Sequence, residues 1–251
     1  MARDLRINRG SMDSAKEHQV QSEQRELAER FGLYERRWEH DACGVGFVVN
    51  INGVPSHGIV EQGIQVLGNL LHRGASGGDA GTGDGAGILI AIPHEFFRRE
   101  CERAGFQLPD AGAYGVGMIF MPPDGALRAW CQRVVENIID DMGLRLLGWR
   151  TVPTSPEILG EKARLESPAF LQCFVGTPVP DADAFERKLY ILRKRVEHRV
   201  AQTTSCGESF YIPSLSCRTL VYKGLMMGPQ IMDFYADLRD PLVVSPFSLI
   251  H

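Results

Sequence analysis

Seven of the fourteen residues from 74 to 87 are glycine, a density at which neither helix nor strand persists, because glycine loses more conformational freedom on ordering than any other residue. The stretch is a loop that uses positive φ or lets two backbones approach closely. Its flanks restrict the fold further. On one side Val60, Ile64, Leu67 and Leu71 fall at helical spacing over residues 59–71, and on the other residues 88–92 form a short β-type run. Gly81-Thr82-Gly83-Asp84-Gly85-Ala86 fits a permissive GxGxxA, but a dinucleotide fingerprint of that form follows a strand and opens a helix. Here the strand comes after the glycines. No Gly-Lys-Ser/Thr closes the loop either, so a phosphate cradle is disfavoured.

The remaining pattern is mixed. Cys43-Gly-Val-Gly-Phe-Val-Val-Asn-Ile reads as a strand beginning at Cys43, and Asn52-Gly53 is a strong turn signal. Pro93 opens a short helix through Phe96 and Phe97. Residues 114–121 predict a strand closed by Pro122-Pro123-Asp124-Gly125. Two amphipathic helices are predicted over 127–142 and 185–200, with strands over 144–152 and 169–177 between them. Strand pieces at 210–212 and 219–222 and a short helix at 231–238 complete the pattern. Strands and helices do not alternate strictly, which favours a layered α+β arrangement with antiparallel sheets.

Composition narrows the function. The 251 residues carry a net charge of −4 with no block of Lys/Arg, so the electrostatic footprint of a nucleic-acid binder is missing. No apolar run reaches the ~18 residues of a membrane span, and the first 40 residues lack the apolar core of a secretory signal. Six cysteines (Cys43, Cys101, Cys131, Cys173, Cys206, Cys217) form no CxxC pair, which suits a reducing cytoplasm. His57, His72, His94 and His198 are isolated from one another, and no metal site is expected.

Residues 1–42 hold eight Lys/Arg against nine Asp/Glu, and their large apolar residues cluster late, at Phe31, Leu33, Tyr34 and Trp38. The segment reads as a charged, propeptide-like leader to a domain over 43–251. Cys43 is the first residue after it. One reading makes Cys43 an ordinary core cysteine. The other follows from removal of 1–42, which would leave Cys43 as an N-terminal nucleophile whose α-amine, with an ordinary pKa of about 7.7–8.0, acts as its base at neutral pH.

Tyr34-Glu-Arg-Arg-Trp-Glu-His-Asp-Ala-Cys43-Gly-Val-Gly-Phe, His72-Arg-Gly-Ala, Thr82-Gly-Asp-Gly-Ala-Gly-Ile-Leu, Ser214-Leu-Ser-Cys-Arg-Thr-Leu-Val-Tyr-Lys-Gly and Phe234-Tyr-Ala-Asp-Leu resemble the N-terminal glutaminase domain of the glutamate synthase large subunit. The resemblance implies a class II glutamine amidotransferase with the N-terminal-nucleophile fold, in which helices surround two antiparallel sheets. It implies that Cys43 attacks the side-chain amide of L-glutamine, passes through a glutamyl thioester and releases ammonia, with no cofactor in this chain. Arg73 matches an arginine near the nucleophile that would favour thiolate, the alternative being a surface ion-pair partner.

One departure stands out. Where the family is expected to read Val-His-Ser-Arg-Phe-Ser-Thr-Asn, this chain reads Val243-Val-Ser-Pro246-Phe-Ser248-Leu-Ile250, so that Pro246 takes the place of the arginine that grips the substrate carboxylate. The substrate contacts are otherwise unassigned, and the domain is expected to be C-terminally incomplete. A proline there predicts a strand that ends before Pro246 and a sheet with an unpaired edge. Two functions follow: a glutaminase, or a non-catalytic accessory chain that needs a partner, such as synthase-domain polypeptides, to complete the glutamine site.

Overall fold

The helical and β-type patterns resolve into eight strands and six helices in a computed structural model that describes residues 30–32, 44–70, 81–178, 181–203 and 209–251. In chain order they are β1 (Gly46–Val49), α1 (His57–Asn69), β2 (Ala86–Ala91), α2 (His94–Arg103), β3 (Tyr114–Met121), α3 (Gly125–Asp141) and β4 (Arg145–Thr151). There follow α4 (Glu161–Leu165), β5 (Ala169–Gly176), α5 (Ala182–Ala201), β6 (Tyr211–Ser216), β7 (Thr219–Gly224), α6 (Ile231–Phe234) and β8 (Phe247–Ile250). The chain divides into two units, Met1–Ala42 and Cys43–His251. Within the first, the Arg30 guanidinium stands over the Phe31 ring.

Two four-stranded sheets, ordered β1-β8-β2-β7 and β4-β5-β3-β6, are antiparallel throughout, as the absence of strict βαβ alternation predicts. The two long helices start where a carboxylate caps them. Asp124 accepts from the N–H groups of Ala126 and Leu127 at 3.0 and 2.8 Å, and Asp181 from Asp183 and Ala184 at 2.9 and 3.1 Å. Each then buries its apolar stripe on one face of the second sheet. Val135 and Ile139 of α3 and Phe185, Leu189, Leu192, Val196 and Val200 of α5 pack on Ile119, Leu171, Cys173 and Val175.

The other face of the second sheet, with Val116, Met118, Phe170 and Phe174, shares a core with α1, α2, α6 and one face of the first sheet. Edge-to-face rings tie this core together, including Phe97 to Phe174 and Tyr222 to Tyr235. Burial of this kind stabilises by about 25 cal/mol per Å² of apolar surface.

The strand expected to stop before Pro246 instead starts directly after it. β8 lies between β1 and β2, pairing Phe47 with Leu249 on one side and Leu89 with Leu249 on the other. Proline is tolerated there because residue 246 precedes the ladder: its missing N–H is not called upon, while its carbonyl accepts from the Asn50 N–H at 2.8 Å. The outer strands of that sheet among the described residues are β1 and β7, and neither is a strand ended by proline. The pattern also gave no warning of α4 or of the 3₁₀ turn at Pro156–Ile158.

Candidate active site

Cys43 and Arg73 lie outside the described residues, as do His72 and Cys206. The structure does describe what holds β1 and the far end of the glycine loop. A Cβ at Gly46 would stand 2.8 Å from Val66 Cγ1 and 3.3 Å from Ile250 Cδ1. Only glycine lets α1 and β8 close on β1 three residues after Cys43, which accounts for the second glycine of Cys-Gly-Val-Gly.

The glycine loop behaves as its composition requires over its described part. Gly81 and Gly85 have φ of 129° and 136°, a region L side chains rarely adopt. At Gly83 an added Cβ would meet the Met226 carbonyl oxygen at 2.7 Å and Met227 N at 2.8 Å. The loop is thus wedged against the segment after β7. Gln230 locks it: its side-chain amide donates to the carbonyls of Gly81 at 3.2 Å and Ile158 at 2.8 Å, and its carbonyl oxygen accepts from Met227 N–H at 2.8 Å. A lone glutamine before a short helix carries no sequence signal for such a role.

Pro246 is not brought to the Gly46 end of β1. The antiparallel register places Val49 opposite Phe247 and Gly46 opposite Ile250, so residue 246 faces Asn50, at the end of the strand away from Gly46. Ile250 and His251 are the residues that run toward the N-terminal end of β1. The backbone of His251 exchanges hydrogen bonds with Gly87 at 2.8 and 3.1 Å. The neighbours of Pro246 are structural: Ser245 and Ser56 exchange backbone hydrogen bonds at 3.2 and 3.1 Å, and Ser245 Oγ accepts from Ala91 N–H at 2.9 Å.

The described cysteines are unsuited to nucleophilic work. Cys101, Cys131, Cys173 and Cys217 are buried thiols. Burial pushes the thiols of Cys101, Cys173 and Cys217 up to about 12, and for Cys217 the adjacent Glu186 carboxylate adds to the effect. His57 and His94 serve local structure, the first with Nδ1 2.9 Å from the Val243 carbonyl and the second 3.1 Å from the Tyr114 hydroxyl. Among the described residues no group of three or more His, Cys, Asp or Glu side chains is placed to hold a metal ion, and no helix is long and apolar enough to cross a membrane.

A fold of two antiparallel four-stranded sheets flanked by helices agrees with what comparison shows. Residues 43–251 match the family of class-II glutamine amidotransferases, and the chain belongs to it. Within that class it is similar to the NADPH glutamate synthase large chain of Bacillus subtilis (strain 168), 42% identical over 222 residues. It is also 42% identical over 214 residues to ferredoxin-dependent glutamate synthase 1 of Arabidopsis thaliana and 39% to ferredoxin-dependent glutamate synthase 2 of a Synechocystis strain. These matches cover 85–88% of this chain but 13–14% of the relatives.

Proposed function

We propose that this domain is a glutaminase in which Cys43, freed at its N-terminus, cleaves the side-chain amide of L-glutamine. The observation that carries the reading is that the family match begins at Cys43 itself, at the boundary between the two units of the chain. In the proposed step the α-amine takes the thiol proton and Sγ forms a bond to the amide carbon. The carbon–nitrogen bond then breaks, the proton passes to the leaving nitrogen, and ammonia departs. Water attacks the thioester and restores the thiol with release of glutamate. A cation at Arg73 would favour the thiolate. The ammonia acceptor would lie on synthase polypeptides, since the relatives are named glutamate synthases.

The test is release of ammonia from L-glutamine by the purified chain, beside Cys43→Ser and an intact-mass measurement. Turnover that vanishes in Cys43→Ser, from a species starting at Cys43, supports the reading. Equal turnover in the variant, or turnover by a species that retains residues 1–42, overturns it. A second reading, a partner-dependent chain without turnover of its own, draws support from the exposed Phe47, Val49 and Leu249 side chains of the first sheet, and no turnover in any preparation of the isolated chain would favour it.

A further inference from the structure

Register puts three chain segments at one end of the first sheet. Gly46 of β1 lies opposite Ile250, Ile250 opposite Ile88 of β2, and Ala86 of β2 opposite Gly224 of β7. The start of β1, the glycine loop before β2 and the segment after β7 therefore share that end. In the sequence Cys43 stands three positions before Gly46, so whatever fixes the loops at this end bears on a reaction at Cys43.

The 3₁₀ turn Gly228–Gln230 after β7 braces this end. Both N–H groups of the Gln230 amide are engaged by backbone carbonyls, those of Gly81 and Ile158 at 3.2 and 2.8 Å. The Gly81 carbonyl also accepts from the Gly160 N–H at 3.2 Å, so the segment after β4 of the second sheet is tied into the same knot. The Gln230 carbonyl oxygen accepts from the Met227 N–H at 2.8 Å and closes the turn on itself. Gly228 in turn abuts α1: a Cβ there would stand 2.9 Å from the Leu67 carbonyl oxygen, in the helix's last turn. One turn of three residues thus rests against the chain just before and just after residues 71–80.

The loop held this way is strained and half open. Gly81 and Gly85 keep φ of 129° and 136°, and such conformations persist only where the surroundings over-determine them. Thr82 and Gly83 are buried, whereas Asp84 and Gly85 are exposed, so the clamp ends where the loop meets solvent at the sheet's end. We infer that Gln230 is a positioning residue of the glutaminase reaction: by holding the carbonyls of Gly81 and Ile158 it fixes the loop beside which glutamine reacts. The inference rests on the reading of Cys43 proposed above and gives Gln230 no contact with substrate. Its leverage is geometric, since a displacement of ~1 Å in a reacting site can cost ~10²-fold in rate.

The test compares the full chain with Gln230→Met and Gln230→Glu in ammonia release from L-glutamine between about pH 5 and about pH 8, with circular dichroism and thermal unfolding of each. Methionine fills the space and makes none of the three bonds, so kcat/KM is expected to fall about tenfold or more with an unchanged spectrum. Glutamate keeps an acceptor for the Met227 N–H but, when ionised, turns a lone pair toward two carbonyls. Those carbonyls hold its carboxyl above the ordinary value of about 4.3, and once protonated it regains one donor. The ratio of Gln230→Glu to parent kcat/KM is therefore expected to rise severalfold as pH falls, a response that lost packing alone would not give. If Gln230→Met fails to fold, that ratio decides alone. A pH-independent ratio, or parent-like kcat/KM in Gln230→Met, overturns the inference and leaves the glutaminase reading standing. A loss in Gln230→Met that vanishes on cooling well below its melting transition overturns it as well, because stability alone would then explain it. A parent chain without Cys43-dependent ammonia release removes the reaction itself, and the inference with it.

Discussion

Arg150 of β4 and Asp237, 87 positions later, form a two-pronged buried ion pair, Nη1 to Oδ2 at 2.8 Å and Nη2 to Oδ1 at 2.7 Å. They are 6% and 3% exposed. Burial works against the charge on Arg150, but the Asp237 carboxylate outweighs it and holds the guanidinium pKa above its ordinary value. Gln172 of β5 accepts a third guanidinium hydrogen bond at 2.9 Å, and the Tyr222 hydroxyl of β7 donates to Asp237 at 2.9 Å. The pair therefore joins both sheets to the turn that leads into β8.

Asp237→Ala is expected to cost about 3 kcal/mol, because it leaves the buried guanidinium with only the longer 3.6 Å contact to Glu100 as a carboxylate partner. Arg150→Met combined with Asp237→Leu should cost less than Asp237→Ala alone, since no charge is left unpaired. Urea denaturation of the three variants measures this. A loss near zero for Asp237→Ala would mean that the pair is hydrated in solution.

Gly83→Ala is expected to destabilise by about 1–3 kcal/mol, as an overpacking substitution does, because its Cβ would meet backbone of Met226 and Met227 rather than a side chain that can swing away. Gly68→Ala is the control, with nothing within 4 Å of the added carbon and a gain in helix propensity. Thermal unfolding should fall for the first and hold or rise for the second. Equal melting temperatures would count against the wedged loop.

The physics of which features were legible is local. The helices α3 and α5 and the strands β3 and β5 announce themselves by period alone, to within a few residues at each end, because each buries a regular stripe or face. β8 does not. Its four residues, Phe247-Ser-Leu-Ile, gain their place from partners about 160 and 200 positions earlier, and proline at 246 argues for a break unless one knows that the ladder starts one residue later. The same holds for the site. The glycine loop is readable as a loop, but its anchoring by Gln230 and the Arg150–Asp237 pair depend on contacts across the fold that no spacing encodes.

Iodoacetamide at pH 7, followed by peptide mapping, should leave Cys101, Cys131, Cys173 and Cys217 unmodified in the native protein, because all four are buried and burial pushes three of their thiols up to about 12. At that value the thiolate fraction at pH 7 is ~10⁻⁵, and the thiolate is the reactive form. Cys43, if it carries a free α-amine and a neighbouring cation, should label first. Labelling of Cys101 at the rate of Cys43 would sink the assignment of Cys43 as an activated nucleophile.

Pro246 provides the sharpest check on where glutamine does and does not bind. Were residue 246 the position of a carboxylate clamp, Pro246→Arg would be the natural repair, and glutamine affinity should rise with it. The register argues otherwise: residue 246 faces Asn50, while Gly46, the described strand residue three positions after the proposed nucleophile Cys43, stands at the opposite end of the strand pair, against Ile250. Pro246→Arg is therefore expected to leave glutamine binding unchanged, whether read as a thermal shift with millimolar glutamine or as KM where turnover is present. Pro246→Ala should cost roughly 0.4–1 kcal/mol, mainly by loosening the unfolded chain, with β8 still paired on both sides. A tenfold tightening toward glutamine in Pro246→Arg would show that a long side chain at 246 reaches the substrate carboxylate and would return this position to the binding site.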